Sequence, residues 1–153
     1  MSLVTIVTPV HNRPSYLEEA VRSIQDQTFT DWEHIIIDDG STNPATQIIL
    51  EKIKLNPKVT VLRTENRGLG AARNYGIDRS TGEYILTLDD DDKWDMEFLG
   101  KAVKILNDSP TIGVVTCWLK KFGNESSVTK PVGGGLKNFL ISNNSVHGIF
   151  RKE

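Results

Sequence analysis

Four consecutive aspartates, Asp89-Asp90-Asp91-Asp92, stand between the apolar run Tyr84-Ile85-Leu86-Thr87-Leu88 and Lys93-Trp94. Carboxylates crowded at the end of a buried strand repel one another and lose hydration, which drives their pKa values up. A divalent cation relieves both effects, and hard oxygen donors of this kind suit Mg²⁺ or Mn²⁺. A solvated acidic turn is the plainer reading, but such a turn seldom sets four acids between a leucine and a tryptophan. Along an extended chain Asp89 and Asp91 turn to one side, toward a cation and a ligand hydroxyl. Asp90 then turns to the other, where a structural role is expected.

A second acidic turn, Asp38-Asp39-Gly40-Ser41, follows Ile35-Ile36-Ile37 some fifty residues earlier. Asp, Gly and Ser are turn formers, so this segment alone reads equally well as a turn and a helix cap. Paired with the later acid run it gains a role in ligand recognition, since a carboxylate accepts from a base imide N–H or a ribose hydroxyl. Thr8-Pro9-Val10-His11-Asn12-Arg13 closes the first apolar run and sets His11 where its flat ring could stack on a base. Stacking or hydrogen bonding suits His11 better than general-base work, whereas His34 and His147 read as structural. Gly68-x-Gly70-x-x-Arg73 resembles a dinucleotide fingerprint, but Arg73 holds the third glycine position and the first strand does not carry it, so the match is weak. Its glycines still let backbone approach a ligand. Arg73 offers a guanidinium fork to a diphosphate or a base carbonyl.

The elements that must position these residues alternate. Leu3–Val7 reads as the first strand; Pro14 opens a helix in which Ser15-x-x-Glu18 forms a capping box, with Leu17, Ala20, Val21 and Ile24 at helical spacing. Strands are expected over His34–Ile37, Val59–Arg63, Tyr84–Leu88 and Ile112–Trp118. Helices are expected over Ala45–Lys54, from Ala71 to Arg79, and through Phe98, Leu99, Ala102, Val103 and Leu106. Alternation of this kind implies an α/β fold with a mainly parallel sheet flanked by helices, and such sheets bind ligands at the carboxyl ends of their strands. Both acidic motifs fall there. Past Lys120 the pattern weakens: Gly133-Gly134-Gly135 reads as a hinge, Leu136–Ile141 as a short helix and Val146–Phe150 as a strand.

Composition narrows the function classes. The chain has 153 residues, enough for one domain with a real core. Its 18 basic and 20 acidic residues give a net charge of −2, which argues against a nucleic-acid footprint. The single cysteine, Cys117, excludes an internal disulfide and reads as a small buried hydrophobe. No apolar run approaches the roughly 20 residues of a membrane span. Met1-Ser2-Leu3-Val4 lacks a basic leader, so the expectation is a cytoplasmic protein, peripheral to a membrane only through missing regions or partners.

Taken in order, Thr8-Pro9-Val10-His11-Asn12-Arg13, Asp38-Asp39-Gly40-Ser41, Asn66-Arg67-Gly68-x-Gly70-Ala71-Ala72-Arg73-Asn74 and Leu88-Asp89-Asp90-Asp91-Asp92 resemble the family 2 glycosyltransferases. These are inverting enzymes with a nucleotide-sugar-binding GT-A fold, a Rossmann-like arrangement. The resemblance implies a single donor-binding domain over 1–153, with a nucleotide-binding core over 1–118 and an incomplete acceptor half over 119–153. It implies nucleotide contacts from Pro9, His11, Arg13, Asp38, Asp39, Asn66, Gly68, Arg73, Asp89 and Asp90. Asp39 would hold the base, Arg73 would sit near base or diphosphate, and Asp89 would bind ribose or share the cation. Asp91 would be the main Mn²⁺ or Mg²⁺ ligand. His11 departs from the family's usual aromatic residue, commonly tyrosine.

The expected partners are a nucleotide-sugar donor, with UDP as its nucleotide, and a glycan or lipid-linked acceptor. The family's general base lies in a downstream acidic motif that Lys120–Glu153 does not match; neither Glu125 nor Glu153 suits the role. A truncated nucleotide- and metal-binding module without transferase activity is therefore the alternative. A dinucleotide-dependent oxidoreductase and a phosphorelay receiver are weaker readings, the latter because Thr8-Pro9 stands where a receiver wants acids.

Overall fold

A computed structural model describes residues 2–122, 126–129 and 148–152. Strand β1 (Val4–Val10) leads to α1 (Pro14–Gln25), β2 (Trp32–Asp39), α2 (Pro44–Ile53), β3 (Val59–Thr64), α3 (Leu69–Asp78), β4 (Tyr84–Thr87) and α4 (Phe98–Asp108). Short strands β5 (Val114–Thr116), β6 (Leu119–Lys120), β7 (Val128–Thr129) and β8 (Gly148–Arg151) follow. The expected alternation is present, with β1 and β2 each longer than expected. The expected hinge at Gly133-Gly134-Gly135, the helix at Leu136–Ile141, His147, Glu125 and Glu153 lie outside the described residues.

The main sheet has the order β3-β2-β1-β4-β8-β5. The first four strands are parallel, with Ile6 beside His34 on one flank and beside Leu86 on the other. Strand β8 runs antiparallel between β4 and β5, pairing Ile149 with both Leu86 and Val115. The chain winds from β1 outward to β3, then returns across β1 to start β4. The strand order therefore reverses between β1 and β4, and a crevice opens at the carboxyl ends on either side of that reversal. Gly148 lets β8 approach its neighbour, since a Cβ there would lie 2.6 Å from the Val115 carbonyl oxygen.

Strand parity assigns the faces. Val4, Ile6, Tyr84, Leu86 and Leu88 pack with Ala20 and Ile24 of α1 and with Leu99, Ala102, Val103 and Leu106 of α4. Val10 and Ile36 join Leu17, Val21, Leu50 and Ile53 on the same face, under α1 and α2. Ile35 and Ile37, of opposite parity, meet Ala72 of α3 on the other face. The small residues of α3 let it sit tightly there: a Cβ on Gly76 would come within 2.5 Å of Val7 Cγ1. This parity decides where the two acids at the end of β2 point.

Two local expectations need correction. Helix α1 begins at Pro14 with Arg13 in the N-cap position and no capping side chain, so Ser15 is already the second helical residue and Ser15-x-x-Glu18 is not the capping box. The side-chain cap sits instead on α2, where Asn43 accepts from the Ala45 N–H at 2.9 Å. Cys117 is only half-buried, because β5 is three residues long and near the sheet edge.

His34 is structural, as expected. It is fully buried, lies 2.8 Å from Thr8 Oγ1 through Nε2, and burial pushes its pKa down to about 3. The folded protein thus refuses a proton that the unfolded chain accepts below its ordinary pKa of 6.5. His34 contributes no pH dependence above that value and costs stability as pH falls below it. Between pH 7 and pH 5 the loss is about 2 kcal/mol relative to His34→Asn, measured by urea unfolding of both proteins. Parallel pH profiles for the two would refute it.

Candidate functional site

A cleft of about 300 Å³ opens at the carboxyl ends of β1, β2 and β4, lined by Pro9, Val10, His11, Arg13, Asp39, Asn66, Gly68, Leu69, Asp89, Asp90 and Asp91. The last residue of β2 and the loops after β1, β3 and β4 all reach it. Eight of the expected nucleotide contacts line it together with Asp91; Asp38 and Arg73 do not.

Asp39 belongs to the wall beside α3, as the parity of Ile37 requires. It is 3 % exposed, and both carboxylate oxygens are engaged: Oδ1 accepts from Thr64 Oγ1 at 3.0 Å and the Arg67 N–H at 2.9 Å. Oδ2 accepts from the Gly68 N–H alone, at 2.8 Å, leaving acceptor capacity toward a ligand donor. The same carboxylate thus fixes the Asn66-Arg67-Gly68 loop and the start of α3. Gly68 takes φ +85° and Gly40 φ +74°; a Cβ on Gly40 would lie 2.8 Å from the Asn66 nitrogen. A side chain at Gly40 would push the two loops apart.

His11 ties the loops together. Its Nδ1 lies 2.7 Å from the Asp39 carbonyl oxygen, which can only accept, so Nδ1 carries the proton. Nε2 then accepts from the side-chain amides of Asn12 at 3.1 Å and Asn66 at 3.3 Å. The ring is held at the cleft by contacts on both nitrogens.

Asn12 is a hub to which the sequence analysis assigns no role of its own. It sits at φ +55°, its N–H donates to Ser41 Oγ at 3.0 Å, and its Oδ1 accepts from the N–H groups of Thr42 and Asn43, each at 2.8 Å. An asparagine directly after a strand was the available signal, since Asn tolerates the left-handed region. Asp38 turns to the opposite face from Asp39. It is buried there, accepting from the Ser41 N–H at 2.8 Å, Gln47 Nε2 at 3.1 Å and Arg63 Nη1 at 2.6 Å. Its neighbours hold its carboxyl below the ordinary carboxylate range despite burial.

The facing wall is the acid run. Asp89 pairs with Arg73, and Asp91 Oδ2 pairs with Arg13 Nη1 at 2.5 Å. Arg73 therefore stands behind Asp89 and reaches the cleft through it. Asp90 is the buried member, 7 % exposed, and its carboxyl is pushed up to about 6. Burial is the main cause; Asp91 and Asp89 add to it, and Arg13 opposes it. Because its pKa is raised, Asp90 favours the fold most when neutral, and that contribution is lost as pH rises through about 6. Asp90→Asn should raise unfolding stability at pH 7.5 by about 1–2 kcal/mol, allowing for water in the cleft, with the gain vanishing by about pH 3, below the ordinary carboxyl pKa of 3.8. Thermal melts at the two pH values check this.

Asp89 and Asp91 supply the hard carboxylate oxygens that Mg²⁺ or Mn²⁺ takes, so the donor chemistry fits such an ion. Among the described residues no cluster of three or more His, Cys, Asp or Glu side chains is arranged to enclose one. A cation here would need further oxygens from a ligand or water.

The family model for glycosyl transferase family 2 matches residues 5–149. The chain belongs to that family. A putative teichuronic acid biosynthesis glycosyltransferase, TuaG of Bacillus subtilis, is 37 % identical over 105 residues, which is 68 % of this chain and 42 % of TuaG. The structure of S. aureus TarS 1–349 in complex with UDP superposes with a TM-score of 0.82 at 25 % identity, covering 99 % of this chain and 47 % of that one. The mannosyltransferase PcManGT of Pyrobaculum calidifontis, in complex with GDP-Man and Mn²⁺, gives 0.69 at 30 % identity over 78 % of this chain and 36 % of its own. The GT-A fold of family 2 is thus the fold of this chain, which spans less than half the length of each of these relatives. No helix among the described residues is long and apolar enough to cross a membrane.

Proposed function

We propose that this chain is the donor-binding part of a glycosyltransferase that takes a sugar from a nucleoside diphosphate, with UDP as the nucleotide, in the presence of Mn²⁺ or Mg²⁺. The observation that carries the reading is one cleft with two chemically different walls. His11, Asp39, Asn66 and Gly68 present a ring, a partly occupied carboxylate and close backbone; Asp89, Asp90 and Asp91 present hard oxygens. The TarS complex with UDP and the PcManGT complex with GDP-Man and Mn²⁺ support it by analogy of fold.

In this assignment the His11 ring stacks on the base, and Asp39 Oδ2 accepts a base N–H without giving up its three existing donors. Asp89 binds ribose or shares the cation, and Asp91 is the principal cation ligand. Pro9 shapes the strand exit, and Asn66 and Gly68 bring backbone close to the nucleotide. Arg13 and Arg73 are placed to turn from their carboxylates to the diphosphate, where a guanidinium fork matches phosphate oxygens. A divalent cation bound by Asp89 and Asp91 would supply charge neutralisation for the diphosphate leaving group. Inversion requires an acceptor hydroxyl, on a glycan or lipid-linked glycan, to attack from the face opposite the diphosphate with help from a general base.

Among the described residues no carboxylate beyond Asp39 and the acid run lines the cleft. That favours a second reading for the chain by itself: a module that binds nucleotide and cation but transfers nothing. Calorimetric titration of UDP, GDP, CDP, dTDP and NAD, with Mn²⁺ and again with chelator, tests both. Metal-dependent binding of one nucleoside diphosphate sustains the donor site, and metal-independent NAD binding overturns it. Transfer of sugar to any acceptor, beyond donor hydrolysis, removes the second reading.

A further inference from the structure

We propose that Arg13 is a resident counter-cation of the acid run, one that bare metal must displace and that a nucleoside diphosphate draws away, so that cation and diphosphate bind this chain together. The inference rests on the donor-site reading above and deepens it.

Arg13 occupies the N-cap position of α1, directly after the turn that carries His11 and Asn12, and makes no capping bond there. Its guanidinium instead crosses to the β4 loop, with Nη1 2.5 Å from Asp91 Oδ2 and 3.5 Å from Asp90 Oδ1. One cation thus bridges the outer carboxylate and the buried one, while Asp89 is drawn to Arg73. The two would-be cation ligands are therefore held by different arginines, and no preformed three-ligand cluster exists among the described residues.

Arg13 is the most exposed of the bridging groups. Its side chain is 58 % exposed against 10 % for Asp90. A long, exposed arginine can leave Asp91 at small cost, because ion pairs in water are weak. A diphosphate offers its fork two-point contacts that a carboxylate with a competing metal does not. Once Arg13 has turned, the Asp91 carboxylate and the diphosphate oxygens together form a hard-oxygen donor set that neither supplies alone. Coupling of this kind is reciprocal, so metal must also tighten nucleotide binding by the same factor.

The test measures Mn²⁺ binding by electron paramagnetic resonance of the unbound ion, without and with saturating UDP, and UDP binding in chelator by calorimetry. Wild type, Arg13→Gln and Arg13→Lys are compared after thermal melts confirm that each is folded. Arg13→Gln should bind Mn²⁺ alone about fivefold more tightly, bind UDP in chelator more weakly, and show a reduced Mn²⁺–UDP coupling factor. Arg13→Lys keeps the charge beside Asp91 without the fork, so it should keep the wild-type affinity for Mn²⁺ alone yet bind UDP more weakly. If Arg13→Gln binds Mn²⁺ alone no more tightly than wild type, while both bind Mn²⁺ with UDP, this inference falls and the donor site stands. If wild type fails to bind UDP with Mn²⁺, the donor site and the inference fall together.

Discussion

Asp91→Asn should abolish metal-dependent nucleotide binding, a loss on the order of a hundredfold or more, and leave the fold intact. Substituting even an outer-shell partner of a bound metal costs about 10–100-fold, and Asp91 is assigned as a direct ligand. The fold survives because the side chain is 44 % exposed and its ion pair is with Arg13, itself largely exposed. Such a pair contributes at most about 1 kcal/mol, and the asparagine can still accept from Arg13. Calorimetry with UDP and Mn²⁺ reads the binding, and a thermal melt reads the fold. Unchanged affinity in a folded variant would sink the assignment of Asp91 to the cation.

Asp39→Ala should lose both nucleotide binding and stability, which separates it from the Asp91 variant. Its carboxylate takes one hydroxyl and two backbone donors from the β3–α3 loop, and it sits where burial makes each bond matter. Hydrogen bonds to a charged group contribute about 1.5–3 kcal/mol each, but water entering the cleft would recover part of that; a net loss of about 2–4 kcal/mol is expected. The Asn66-Arg67-Gly68 loop would then lose its anchor, and with it the Asn66 amide that meets His11 at 3.3 Å. The expected result is a lowered urea midpoint together with undetectable UDP binding. A variant as stable as wild type would show that the loop is held by something other than this carboxylate.

Asp90 and His34 show how two buried titratable groups in one small fold act in opposite directions. Burial raises the Asp90 carboxyl and lowers the His34 imidazole, in each case favouring the neutral form. Acid therefore relieves the first and penalises the second. The wild-type profile between pH 7 and pH 5 contains both, which is why the His34→Asn and Asp90→Asn comparisons are needed to read either.

The alternation of strands and helices is legible in the sequence, because continuous apolar runs and 3.6-residue apolar spacing are local properties of the chain. The strand-end location of the acid motifs is legible there too, since the apolar runs Ile35–Ile37 and Tyr84–Leu88 stop where the aspartates start. The order of the motifs carried the family, and the family model matches residues 5–149. What lies opposite what was decided only in three dimensions. Asp38 and Asp39 are adjacent and chemically identical, yet parity and packing send one to Arg63 and Gln47 under α2 and the other to the cleft beside α3. The partners of Asp39, Asp89 and Asp91 are 16 to 78 residues away along the chain, so no local pattern announces them. Strand β8 likewise enters antiparallel between β4 and β5, a placement that sheet pairing selects and that its own four residues do not encode. Local spacing sets elements because their hydrogen bonds and apolar faces are near neighbours in sequence. The cleft is set by long-range pairing between loop ends, and only the assembled sheet brings those ends together.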